Sequence, residues 1–197
     1  LEGWYLGEET GNAVANVIFG KVNPSGKLTV TFPRSVGQLP CFYNRKPSRD
    51  RSYALVESGP LFPFGYGLSY TSFKYDNMNI PKKTLNSTES CKVYVDVENT
   101  GDKKGKESVQ LYIHNLYGIP TRPIIELKDF KKIELNPGEK KTIEFNVTLD
   151  KLEAYNLKMV KEVPPGEFAI MIGTNSQDYI SDTIMVVNWG FLLLNNT

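Results

Sequence analysis

From about residue 90 onward, apolar residues recur at every second position. Val93, Val95 and Val97 fall on one side of such a run, and Lys92, Tyr94, Asp96 and Glu98 on the other. Successive side chains of a strand point to opposite faces, so this spacing predicts a half-buried β-strand. The pattern returns at Val109, Leu111 and Ile113, at Ile143, Phe145, Val147 and Leu149, and at Phe168, Ile170 and Ile172. Leu127, Phe130, Ile133 and Leu135 keep it less regularly, which predicts a bulge. Turn chemistry separates the runs at Asn99-Thr-Gly-Asp102, Asn136-Pro-Gly138 and Pro164-Pro-Gly166. With an opening strand near 75–80, a helical turn within 150–156 and a last strand near 183–187, this predicts about seven strands over about 115 residues, an antiparallel sandwich.

The N-terminal pattern is different. In EETGNAVANVIFG, residues 8–20, Val14, Val17 and Ile18 recur at helical spacing beside Ala13. Thr10 or Asn12 is the expected cap, Glu8 and Glu9 sit at the positive end of the helix dipole, and Gly20 suits the position after the end. A turn at Asn23-Pro-Ser-Gly26 should lead into a short strand carrying Leu28, Val30 and Phe32, stopped by Pro33. One helix and one strand bury no core, so this piece is expected to be the remnant of a larger α/β layer. The fold class is therefore mainly β: an immunoglobulin or fibronectin III-type antiparallel sandwich preceded by a helix–strand remnant.

Between the two lies PLFPFGYGLSYTSF, residues 60–73, with Phe62, Phe64, Tyr66, Tyr70 and Phe73. Pro60 and Pro63 argue against a helix, and Gly65 and Gly67 permit tight turns or close approach. A flexible linker would be polar. The aromatic burial available and the entropy of fixing fourteen residues are of the same order, so the stretch is ordered only against surfaces that already exist. It is expected to be a strap with aromatics buried on both sides, at the seam between two folded bodies. Residues 33–59 look irregular and partly basic, with Phe42, Tyr43, Arg45, Lys46, Arg49 and Arg51.

Composition narrows the function. The chain has 197 residues, 40% apolar and 23% charged, with a net charge of +1. Nothing in that balance favours nucleic acid or an anionic membrane, and no apolar run is long enough for a spanning helix; Phe191–Leu194 is a short tail. Cys41 and Cys91 flank the strap and read as free thiols. His114 is the sole histidine, so no metal site has recognisable ligand spacing, and no dinucleotide motif calls for a cofactor. At the end of a predicted strand, His114 reads as a sandwich histidine rather than a catalytic base. Glycosylation sequons occur at Asn86, Asn146 and Asn195. Glu8 and Glu9 are adjacent and would point apart on a helix, so they do not form a catalytic pair flanking one bond. Residue chemistry alone assembles no catalytic site.

Several ordered motifs carry more. Glu2-Gly-Trp-Tyr-Leu-Gly-Glu-Glu-Thr-Gly-Asn-Ala13, Asn23-Pro-Ser-Gly-Lys-Leu28, Phe32-Pro-Arg-Ser-Val-Gly-Gln-Leu-Pro40, Tyr43-Asn-Arg-Lys-Pro47 and Pro60–Tyr70 strongly resemble glycoside hydrolase family 3, its β-glucosidases and β-xylosidases above all. Asn99-Thr-Gly-Asp102, Val109-Gln-Leu-Tyr112, Arg122-Pro123, Glu126-Leu-Lys-Asp-Phe130 and Pro165-Gly-Glu-Phe168 resemble the family's fibronectin III-like C-terminal domain. The resemblance implies a barrel, an α/β sandwich domain and then the fibronectin-like domain, with the aspartate nucleophile and general-acid glutamate upstream. No catalytic residue is carried onto this chain.

On that basis residues 1–52 are expected to end the α/β sandwich domain, 53–75 to be the strap, 76–190 the fibronectin-like sandwich and 191–197 a tail. Leu1 is not an initiator Met, and the expectation is a chain that starts inside a longer one. The segment would brace a retaining β-glycosidase acting on terminal β-linked glucose or xylose, and would be inactive alone. Trp4, Glu8 and Glu9 are candidates for the substrate rim, with packing as the alternative. Asn44–Arg51 is a candidate for reaching that rim or a neighbouring subunit. The expected partners are the upstream barrel and α/β sandwich domains, the oligosaccharide substrate through the parent, and a second copy in a homodimer. A secreted or periplasmic parent is expected. The rival reading is a carbohydrate-binding or adhesion sandwich, with Tyr94 and Tyr112 at outward positions.

Overall fold

The computed structural model describes residues 1–47 and 57–187. Near the N-terminus, α1 spans Thr10–Ile18, and none of its residues is buried. It ends as its sequence suggests: Gly20 takes a φ of 72° and its N–H donates to Val17 O at 3.0 Å. The expected Thr10 or Asn12 cap is not made. Glu9 occupies the capping position without a side-chain cap bond, which leaves Thr10 and Asn12 already inside the helix. The Thr10 hydroxyl turns back to Gly7 O, and Asn12 Nδ2 donates to Glu9 Oε2 at 2.7 Å.

Residues 28–32 do not form a strand of an α/β sheet, and residues 23–26 pass without a turn. Their partner is the strap. Leu28 N donates to Tyr66 O at 2.8 Å, Gly65 N to Leu28 O at 2.8 Å and Phe32 N to Phe62 O at 2.9 Å, with a single antiparallel bridge at Phe32 and Phe62. Alternation alone identifies an extended segment, and the nearest unpaired backbone decides what it pairs with.

The rest is a β-sandwich. In chain order come β1 (Phe73–Asn79), β2 (Thr84–Asn86), β3 (Cys91–Asn99), β4 (Gly105–Asn115), β5 (Glu126–Leu135), β6 (Lys140–Val147), the short α2 (Leu149–Leu152), β7 (Ala154–Tyr155), β8 (Lys161–Glu162), β9 (Gly166–Gly173) and β10 (Tyr179–Val187). One sheet runs β1-β3-β6, the other β2-β10-β9-β4-β5, and β7-β8 form a separate hairpin. Every pairing is antiparallel except β2 with β10. The core fills the space between the sheets with Val93, Val95, Val97 and Phe145 from one and Leu111, Ile170, Ile172 and Ile184 from the other.

The expected bulge is present: Leu111 pairs with Asp129 and Tyr112 with Leu127, which leaves Lys128 over. The last strand starts four residues earlier than its apolar pattern, at Tyr179. β2, β7 and β8 were not expected, because runs of two or three residues carry no readable period. The domain limits at 52/53 and 190/191 and the tail Phe191–Leu194 lie outside the described residues, as do Arg49, Arg51 and Asn195.

Candidate functional site

The polar and aromatic groups that converge in this chain do so where residues 1–47 and the strap meet the sandwich. The strap crosses the outer face of the five-stranded sheet. Gln110, on that face of β4, donates from Nε2 to Gly65 O at 3.2 Å and to Thr174 O at 2.6 Å, and its Oε1 accepts the Tyr112 hydroxyl at 2.5 Å. Ser176 N donates to Phe64 O at 3.0 Å. Gly65 holds a φ of 79°, and a Cβ there would stand 2.1 Å from Gln110 Oε1, so both backbone shape and space demand glycine. Beside it Phe64 stacks on Tyr43 at 4.0 Å and 13°, and Tyr43 meets Tyr112 edge-on at 6.4 Å. Ile125 and Met171 complete this second core.

A buried ion pair closes the end of the sandwich. Lys27 Nζ lies 3.1 Å from Glu107 Oε1 and donates to Thr174 Oγ1 at 2.8 Å, while the Tyr75 hydroxyl donates to the same Glu107 oxygen at 2.9 Å. Glu107 is 3% exposed and sits on the inward face of β4, two residues before Val109. Burial and then the Glu107 charge hold the Tyr75 phenol far above its ordinary range, so it stays a neutral donor. A carboxylate buried at this depth needs a cation and further donors, and the N-terminal segment supplies the cation.

Two asparagines fasten the remainder. Asn23 Oδ1 accepts from Tyr70 N at 2.8 Å and Ser69 Oγ at 2.9 Å, and its Nδ2 donates to Lys104 O at 3.1 Å. Asn99 is fully buried. It accepts from Thr71 Oγ1 at 2.6 Å and donates to Lys103 O and Leu135 O at 2.8 and 3.1 Å. The Tyr70 hydroxyl reaches Val17 O at 2.7 Å, which ties α1 to the strap.

The strap aromatics are not enclosed on both sides as expected. Phe62 stacks on Tyr66 at 5.2 Å and meets Phe32 edge-on, yet it is 38% exposed, and Tyr70 is 42% exposed. Phe64, Tyr66 and Phe73 are half-buried. One side of the strap faces the sandwich, and among the described residues the other is met by parts of 17–43, through Val17, Leu28, Phe32 and Tyr43.

Elsewhere, Trp4 is 60% exposed with a φ of 48°, and Glu8 and Glu9 are exposed beside the start of α1. Of Asn44–Arg51, residues 44–47 are described, and Arg45 O accepts from Ile124 N at 2.9 Å. Cys41 and Cys91 are free thiols, the second buried. His114 is half-buried, and burial lowers its pKa against the opposing Glu126 charge. Asn86 and Asn146 stand at strand positions, half-buried and exposed.

Tyr112 overturns one expectation. It is not outward and free but fully buried under Tyr43 and Phe64, because the strap covers this face of the sheet. Sequence reasoning also passed over Lys27, Glu107, Gln110, Asn23 and Asn99. A signal existed for one of them: Glu107 continues the inward series of Val109, Leu111 and Ile113, and a carboxylate at a core position implies a partner.

Residues 1–70 match the glycosyl hydrolase family 3 C-terminal domain, and residues 107–176 the fibronectin type III-like domain. A β-xylosidase of Formosa agariphila is 45% identical over 181 residues, 90% of this chain and 25% of the relative. A periplasmic β-glucosidase of Salmonella typhimurium is 41% identical over 187 residues, 89% of this chain and 24% of the relative. The solved β-glucosidase of Erythrobacter marinus superposes with a TM-score of 0.86 at 42% identity, over 90% of this chain and 24% of that one. The chain thus spans about a quarter of the length of the relatives it matches. With both halves of the seam matched in order, the chain belongs to glycoside hydrolase family 3, as a C-terminal segment of that larger multidomain architecture.

Proposed function

We propose that this chain is the bracing segment of a retaining β-glycosidase that releases terminal β-linked glucose or xylose from oligosaccharides. The parent forms and hydrolyses a covalent glycosyl-enzyme intermediate through two carboxylates supplied by its upstream domains. Residues 1–52 end the α/β sandwich domain, 53–75 form the strap and 76–190 the fibronectin-like sandwich. One observation carries the bracing role. The N-terminal segment is fixed to the sandwich by Lys27 and Asn23 and the strap by Gly65, while Trp4, Tyr5, Leu6, Ile18 and Phe19 remain exposed. An apolar face of this kind needs a cover, and the upstream domains are its natural occupant. In this reading the exposed Trp4, Glu8 and Glu9 support the rim of the parent's substrate entrance.

The relatives' names, β-xylosidase and β-glucosidase, support the substrate class. The assay compares the full-length protein with the isolated 197-residue chain on aryl β-glucosides and β-xylosides, with the product anomer followed by NMR. Full-length protein is expected to release the β-anomer first, and the isolated chain to be inert. Turnover by the isolated chain, or release of the inverted anomer, would sink this reading.

A further inference from the structure

Beyond Tyr112, the chain leaves β4 through loop 116–125 and passes the β7–β8 hairpin. Arg122 Nη2 donates to Tyr155 O at 2.8 Å and joins the two. Under this contact lies a cavity of about 20 Å³ with Ile113, Leu152 and Phe168 as its apolar lining and Asn115 and Arg122 as polar lining. Two buried N–H donors of those lining residues, Asn115 Nδ2 and Arg122 Nε, have no partner. Asn115 is 9% exposed as a whole residue. Two unpaired donors in one cavity require an acceptor, since a buried donor left bare is unfavourable.

Size and charge identify the acceptor. A cavity of this volume holds one species of about water size. The other charged groups of the lining are already paired: Glu126 with Lys128 at 3.4 Å, Glu153 with Lys161 at 2.5 Å and Lys151 with Asp129 at 2.5 Å. Among the described residues no carboxylate pairs with Arg122. Arg122 as a whole is half-buried, but its Nε is buried and unpaired, and a charged donor beside the Asn115 amide favours an anionic acceptor. We propose that Asn115 and Arg122 form a binding site for one halide-sized monovalent anion. The bound anion fastens loop 116–125 to the hairpin, and so sets the spacing of the exposed apolar tips at Tyr117 and Ile119 on one side and Leu157 and Met159 on the other.

The decisive experiment uses crystals of the unmodified full-length protein soaked in bromide. An anomalous peak in contact with both Asn115 Nδ2 and Arg122 Nε is expected. In parallel, the melting temperature is followed at constant ionic strength as chloride is exchanged for gluconate. It should fall in the unmodified protein and stay level in Arg122→Met and Asn115→Leu. Absence of the bromide peak, or a water in its place with melting indifferent to halide, overturns the proposal. The bromide map decides the matter even if either variant fails to fold.

Discussion

At the scale of single residues, the seam rests on a few polar side chains that each gather several partners. Glu107 gathers Lys27 and Tyr75 onto one oxygen. Replacing Lys27 with Met leaves that carboxylate charged, buried and short of its cation. The expected loss is about 3–5 kcal/mol, because the penalty is that of an uncompensated charge. The double change Lys27→Met with Glu107→Gln removes the charge and keeps an acceptor for Tyr75, and most of the loss should return. Denaturant unfolding of both variants in the full-length protein checks this. Equal losses in the single and double variants would show that Lys27 acts through packing of its stem rather than through its charge.

At the scale of elements, the outer face of the three-stranded sheet carries its own acid-sensitive tie. Asp96 on β3 accepts from Thr142 Oγ1 on β6 at 2.6 Å and from Asn77 Nδ2 on β1 at 2.9 Å, with Lys140 at 3.0 Å. These donors, Thr142 first, pull its carboxyl down from 3.8 to about 2. A folded pKa below the unfolded one means stability that is complete above 3.8 and lost as the pH falls through about 2. The side chain remains 17% exposed, so screening limits the contribution to about 1 kcal/mol or less. Melting curves between pH 5 and pH 2, window limits of about that span, should show this component in the unmodified protein and not in Asp96→Asn.

The strands were legible in the sequence wherever alternation ran for seven or more residues, as in β3, where every odd position from Cys91 to Asn99 is buried. Legibility failed where both faces are covered. β4 alternates in its apolar residues, yet Gln110 and Tyr112 are buried on the opposite side. Period two says which residues share a face, not whether something lies on the other one. The strap was readable as an ordered aromatic stretch. That it pairs with residues 28–32 was not, since neither segment carries a signal for its partner.

At the scale of the whole molecule, sandwich and N-terminal segment share one set of contacts. The sandwich core between the two sheets is complete, but the cluster around Tyr112, Ile125 and Met171 needs Tyr43 and Phe64 from outside it. A piece cut at Phe73 and ended at Val187 keeps every strand and loses that cover. It is expected to fold with a lower melting temperature and to bind a hydrophobic dye more strongly than the full chain. Matching melting and dye binding would mean that the strap adds nothing to the sandwich it crosses.

Gly65 shows what this means for recombining such proteins. Its carbonyl rests on Gln110 and its missing side chain makes room for the same residue. A graft that exchanges the β module between two parents therefore has to carry the crossing peptide with it, or match glycine to glutamine at the join. The workable splice points fall upstream of the aromatic stretch and not at the first strand.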